Sequence, residues 1–131
     1  MNERTLRSTL SLFLMSGALV AAFGSPAFAD GDAAAGQSVF KAVCTMCHSN
    51  QAGQNKIGPS LFGVVGRKTG SEPGYTYSPA NQAANLTWDE ATLDKYLQAP
   101  RTVVPGTKMT YGGLKDDAKR ANLIAYLATL K

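Results

Sequence analysis

The chain has 131 residues, enough for one domain and too few for two of ordinary size. Its formal net charge is +4, but no dense Lys/Arg run carries it, so charge gives no sign of a nucleic-acid module. Only two cysteines and one histidine are present, which leaves few ways to build a metal or redox centre.

The first stretch places Arg4 and Arg7 ahead of an apolar run from Leu10 to Phe23, followed by Pro26 and the small-residue pattern Ala27-Phe28-Ala29. This is the architecture of a secretory signal cleaved after Ala29, leaving residues 30–131 as the domain. An uncleaved anchor is the rival reading, but a span usually needs about 20 apolar residues. The run of fourteen here is broken by Ser16 and Gly17. Arg4 and Arg7 are not adjacent, so a twin-arginine route is not indicated and the chain is expected to cross the membrane unfolded. Loss of residues 1–29 removes Glu3, Arg4 and Arg7, leaving 11 basic against 8 acidic residues and a net +3.

Asp30 or Asp32 can cap a first helix whose apolar positions Val39, Phe40 and Val43 lead into Cys44. From Asn50 to Pro79 the chain is rich in Gly, Pro, Ser, Asn and Gln and reads as structured loop. Thr87-Trp88-Asp89-Glu90 has the form of a capping box opening a second helix with Leu93, Tyr96 and Leu97 on one face, stopped by Pro100. After another loop, Asp116 or Asp117 opens a last helix with the stripe Leu123, Ile124, Tyr126, Leu127 and Leu130. The result is an all-α chain of three helices and long loops, with no convincing strand and no repeat. A loop this long needs something other than secondary structure to pack on. So small a domain with so little regular structure would also have a thin core.

Cys44-Thr45-Met46-Cys47-His48 offers that missing surface. A disulfide across two residues would be a small strained ring, and zinc would need further Cys or His ligands that the chain lacks. A dithiol oxidoreductase usually sits among the strands and βαβ units of a thioredoxin-like fold. Cys-x-x-Cys-His is the signature of covalent haem attachment. On one helical turn, Cys44 and Cys47 can reach two vinyl groups of one porphyrin while the His48 imidazole points at the iron. One haem c would then supply the core that the loops lack, and the apoprotein is expected to be poorly folded.

The opposite face of the iron decides the chemistry. Outside the leader only Met46 and Met109 remain; Met46 lies between the attachment cysteines and cannot reach the far face. A methionine usually fills core gaps, but Met109 sits in the loop "VVPGTKMTY", behind the turn residues Pro105 and Gly106. His/Met pairing is a standard cytochrome arrangement. With both axial positions filled, no substrate has a coordination site, so the expectation is an electron carrier and not an enzyme.

"CTMCH", "IGPSLFGVVGRKTG", "GYTYSPAN", "LTWDEATLDKYL", "PGTKM" and "LIAYL", in that order, closely resemble class I cytochrome c, in the branch of bacterial carriers nearest to the mitochondrial protein. The likeness covers residues 30–131 and implies the cytochrome c fold, loops wrapped around one covalent haem and terminal helices that cross. It implies that Gly36 and Phe40 meet Leu123 and Tyr126 at that crossing, and that the Pro59 carbonyl accepts a hydrogen bond from the His48 ring. Arg67, Tyr77 and Trp88 match partners of the buried haem propionates; Asn81, Tyr96 and Thr107 match hydrogen-bonding positions near the methionine side, with the Tyr96 hydroxyl close to the Met109 sulfur. Lys56, Arg101, Lys108 and Lys115 match the family's basic ring around the haem edge, while Val43, Thr102 and Asp116 stand where it is often basic. The loop between His48 and Pro59 is one residue shorter than in the mitochondrial form.

The expected function is that of a periplasmic, monomeric one-electron carrier, not inserted in the membrane. It would run between a quinol-oxidising complex and an oxidase, photosynthetic reaction centre or peroxidase with acidic docking surfaces. The alternatives are a haem enzyme or gas-binding cytochrome with an open sixth position, and a carrier tethered by a retained leader.

Overall fold

In the computed structural model, residues 30–131 are described; the leader and its cleavage point lie outside the described residues. Five helices follow in order: α1 (Ala33–Val43), α2 (Pro79–Ala83), α3 (Glu90–Gln98), α4 (Pro100–Val103) and α5 (Asp117–Ala128). Among the described residues, no helix is long and apolar enough to cross a membrane.

Three of these are the helices that periodicity predicts. Asp32 caps α1 by accepting hydrogen bonds from the amides of Ala34 and Ala35 at 2.8 and 3.1 Å, satisfying donors that the first turn leaves free. Asp116 caps α5 in the same way, through the Lys119 amide. The apolar stripes bury as expected, from Leu93, Tyr96 and Leu97 on α3 to Leu123, Ile124, Tyr126 and Leu127 on α5. Leu130 lies past the end of α5 and is only partly buried.

Three expectations need correction. The capping box does not form: Thr87 is drawn into an isolated antiparallel bridge with Lys68, and Asp89 caps α3 through the Thr92 amide at 2.7 Å. Two short helices join the three, α2 opened by Ser78 and Pro79, and α4 begun by Pro100 itself. A proline stops α3 and starts α4 because it lacks an N–H, which costs nothing in a first turn. On α1, Phe40 is buried and Val39 partly so, but Val43 is exposed on its helix face.

The terminal helices cross as the family likeness implies. A Cβ on Gly36 would overlap the Asn122 carbonyl, so glycine is what lets α1 and α5 approach backbone to backbone. The Phe40 and Tyr126 rings then pack at 5.3 Å between centroids. The Asp32 amide donates to Asn122 Oδ1 at 2.8 Å, closing the crossing at its edge.

Arg120, whose side chain is almost wholly buried, ties the helices to one another. Its guanidinium pairs with Asp94 of α3 at 2.6 Å and Asp117 at 2.7 Å, and donates to the Leu114 carbonyl at 2.9 Å. The segment from Asn50 to Ser78 is loop, as predicted, and it faces α3 and α5 across a cavity.

Candidate haem and metal site

The cavity, about 500 Å³, is lined by all eleven residues that the sequence singles out: Cys44, Cys47, His48, Pro59, Arg67, Tyr77, Asn81, Trp88, Tyr96, Thr107 and Met109. Between them, Leu61, Val64, Leu93, Leu97, Leu123 and Leu127 give it an apolar wall. Much of that wall is the hydrophobic core itself, so the space lies inside the fold.

The two cysteines lie on a turn that continues α1. The Cys47 and His48 amides both donate to the Cys44 carbonyl, at 3.1 and 2.8 Å, which stacks the thiols and the imidazole on one side of the cavity. Both thiols are free, not joined to each other. Burial, with a smaller contribution from Cys47, pushes the Cys44 thiol up to about 11.

His48 is held by two neighbours in "IGPSL". Its Nδ1 lies 2.8 Å from the Pro59 carbonyl. That oxygen can only accept, so Nδ1 carries the proton and Nε2 keeps its lone pair. Gly58 backs the ring: a Cβ there would collide with the imidazole, and the Gly58 amide donates to the Cys47 carbonyl at 2.7 Å. Burial pulls the His48 pKa below its ordinary value, opposed by the Pro59 bond and helped by the charges of Lys56 and Arg67; the net result favours a neutral imidazole. Gly58 was not among the predicted site residues, although its place directly before Pro59 is the signal that could have found it.

Across the cavity, Met109 follows the α4 turn and packs against the core. Thr107 orients this strand of loop by accepting from the Met109 amide at 3.3 Å, and its hydroxyl lies 3.2 Å from that of Tyr96. Asn81 is buried on α2, its side-chain oxygen accepting from Ser78 at 2.8 Å. A polar end completes the cavity. Arg67 donates to the Ser60 and Phe62 carbonyls at 2.8 and 3.1 Å and pairs with Glu72 at 2.5 Å. The Tyr77 hydroxyl accepts from the Glu72 amide at 3.1 Å, and burial raises its pKa. Trp88 packs against Tyr96 in a tilted arrangement, 4.6 Å between ring centroids. Sequence reasoning did not find Glu72, because nothing local marks a loop glutamate as the partner of Arg67.

The mouth is apolar and basic. Met46 and Ile57, 81% and 75% exposed, stand there beside the lesser-exposed Val43. Lys56 donates to the Thr45 carbonyl, and Lys108 lies over the Tyr75 ring while donating to the Thr76 carbonyl. Lys115 donates to the Gln98 carbonyl farther round.

The donor set of two thiols, one imidazole and one thioether fits a c-type haem, and the apolar wall suits a large flat ring. One polar atom supports the fit independently: Arg67 Nε is buried, has no hydrogen-bond partner among the described residues, and belongs to a residue of the cavity wall. Such a donor calls for an acceptor, which a haem carboxylate would supply.

Fold and cavity together define a small helical protein assembled around one prosthetic group. The family model described as cytochrome c matches residues 33–131, and the chain belongs to that family. It is 52% identical over 101 residues to cytochrome c2 of Rhodopila globiformis, covering 77% of this chain and 95% of that relative. Cytochrome c2 of Rhodomicrobium vannielii is 47% identical over 121 residues, 92% of this chain and 94% of the relative. Among solved structures, cytochrome cH from Methylobacterium extorquens is 47% identical with a TM-score of 0.71, over 76% of this chain and 99% of that one. The cofactor of the family is one covalently attached haem c, and its members carry electrons; the chain is an electron carrier of this class and not an enzyme.

Proposed function

We propose that the chain is a periplasmic one-electron carrier, with haem joined through thioethers to Cys44 and Cys47 and iron held between His48 and Met109. The observation that carries this reading is that the His48 ring, fixed by Pro59 with Nε2 left free, and Met109 line one apolar cavity with both cysteines. When bound, haem supplies a ferric/ferrous couple. The chain's part would be to hold the iron through His48 and Met109 together, which would deny substrate a coordination site and keep reorganisation small. The Pro59 carbonyl makes the imidazole a stronger donor, while thioether ligation and burial favour the ferrous form. Arg67, Tyr77 and Trp88 would hold the propionates; Asn81, Tyr96 and Thr107 would set the methionine side.

Export with cleavage after Ala29 fits the leader's pattern. The alignment with the Rhodomicrobium relative covers 92% of the chain, more than residues 30–131 alone, so part of the leader aligns with that relative. Partners would be membrane redox complexes with acidic docking surfaces: a quinol-oxidising complex as donor, and an oxidase, reaction centre or peroxidase as acceptor. Lys56 and Lys108 at the mouth would steer the encounter, and exposed Met46 and Ile57 would meet an apolar centre. The carrier acts as a monomer.

Met109→Ala tests the reading. Loss of the sulfur-to-iron absorption of the ferric protein, with rapid carbon monoxide binding by the reduced variant, is the expected result. Retention of the band in the variant, or rapid carbon monoxide binding by the native protein, would overturn it.

A further inference from the structure

We infer that Glu72 is a potential-setting residue, a fixed carboxylate that cancels the charge of Arg67 at the cavity wall and holds the haem potential down. The inference rests on the haem reading above. Arg67 is one of two permanently charged groups lining the cavity, the other being Lys108, and no carboxylate lines it. Behind Arg67 sits Glu72, its side chain only 9% exposed and its oxygen 2.5 Å from the guanidinium. The remaining acidic residues of the domain lie toward solvent; even Asp94, engaged by Arg120, is 31% exposed. Charges in water are screened over about 8 Å at physiological ionic strength, whereas a shielded pair is screened much less. Glu72 is therefore the carboxylate whose field reaches the cavity.

The sign follows from charge. Oxidation adds one positive charge at the iron, so a negative group nearby stabilises the ferric form and lowers the potential. Glu72 also occupies the Nη1 end of Arg67, whose other donors go to the Ser60 and Phe62 carbonyls. Nε, buried and unpartnered among the described residues, and the second Nη2 hydrogen are left for a cofactor carboxylate. Removing the Glu72 charge leaves Arg67 as a net cation against that carboxylate and that iron. Both effects favour the ferrous form. Tyr75 and Tyr77 are the other titratable groups beside the pair, and Tyr77 takes part through its hydroxyl, which accepts from the Glu72 amide.

The test is a redox titration of the holoprotein at neutral pH. Glu72→Gln keeps an oxygen for Arg67 and removes the charge; the ferrous-to-ferric ratio at a fixed potential should rise about tenfold, a shift of about 59 mV for one electron. Arg67→Gln should move the potential down, and the double variant should return toward the native value because the pair is again neutral. Glu72→Asp, which keeps the charge, should restore the native potential. A purely structural role for Glu72 predicts a lowered unfolding midpoint with no ordered change of potential, and an unshifted potential in Glu72→Gln would overturn the inference. If Glu72→Gln does not fold, failure of Arg67→Gln to lower the potential overturns it equally. Failure of the haem reading is recognised separately, in the unchanged ferric spectrum of Met109→Ala.

Discussion

The two sides of the cavity are built on different principles. On one, α1 and α5 cross backbone to backbone at Gly36 and interlock through Phe40 and Tyr126, so the chain supplies its own packing. On the other, residues 50–78 carry no helix, and their order comes from polar contacts such as Ser60 Oγ to the Gln51 carbonyl and Asn55 Nδ2 to the Pro73 carbonyl. The contrast points to where a prosthetic group would matter most for folding: the crossing packs helix on helix, whereas the loop wall reaches the core only through Val64 and its neighbours Leu61 and Val65.

The largest effect should come from removing attachment. With Cys44→Ser and Cys47→Ser together, helical circular dichroism should fall well below native content and the aromatic signal of the loop wall should vanish; a haem-free form with native helicity would break the contrast. Next is Arg120→Ala, which releases Asp94 and frees the Leu114 carbonyl. A cost of about 2 kcal/mol in denaturant unfolding is expected, since the charged hydrogen bonds of the buried guanidinium are lost while Asp94, 31% exposed, returns to water. A smaller loss, about 1 kcal/mol, is expected for Asp32→Ala, which uncaps α1 without touching the cavity.

The least effect, visible only at high pH, belongs to the loop wall. Burial raises the Tyr77 pKa above its ordinary 10.0. The unfolded chain therefore loses this proton first, and the Tyr77 contribution is present below pH 10 and is lost as pH rises through the folded value. Unfolding free energies measured from pH 8 to 11 should show a shallower alkaline decline in Tyr77→Phe than in the native protein.

What could be read from sequence follows the same division. Helices α1, α3 and α5 were legible because a solvent-facing helix must repeat its apolar residues, and Cys44, Cys47 and His48 because their spacing has few other uses. Helices α2 and α4 were not, being too short for a period to show. Thr87 misled because its backbone was already committed to Lys68, a pairing between segments that local sequence cannot display. Glu72 and Arg120 escaped for a similar reason: a charged residue looks like surface until the fold brings its partner from elsewhere. Met109 was legible because Met46, the other methionine outside the leader, lies between the cysteines; the remaining positions of the site were found through the family likeness, and the structure brings them to one cavity.

The bond from the Asp32 amide to Asn122 spans 90 residues, nearly the whole domain. Contacts so distant in sequence form late, after local turns and helices. In synthesis from the N-terminus the cysteine turn emerges at the start of the domain, long before α5 exists to meet α1. For that interval the α5 side of the cavity wall, Leu123 and Leu127, is missing, and a haem would meet Cys44 and Cys47 unobstructed from that side. Once the terminal helices cross, α5 completes that wall, so the order of synthesis would place loading before closure.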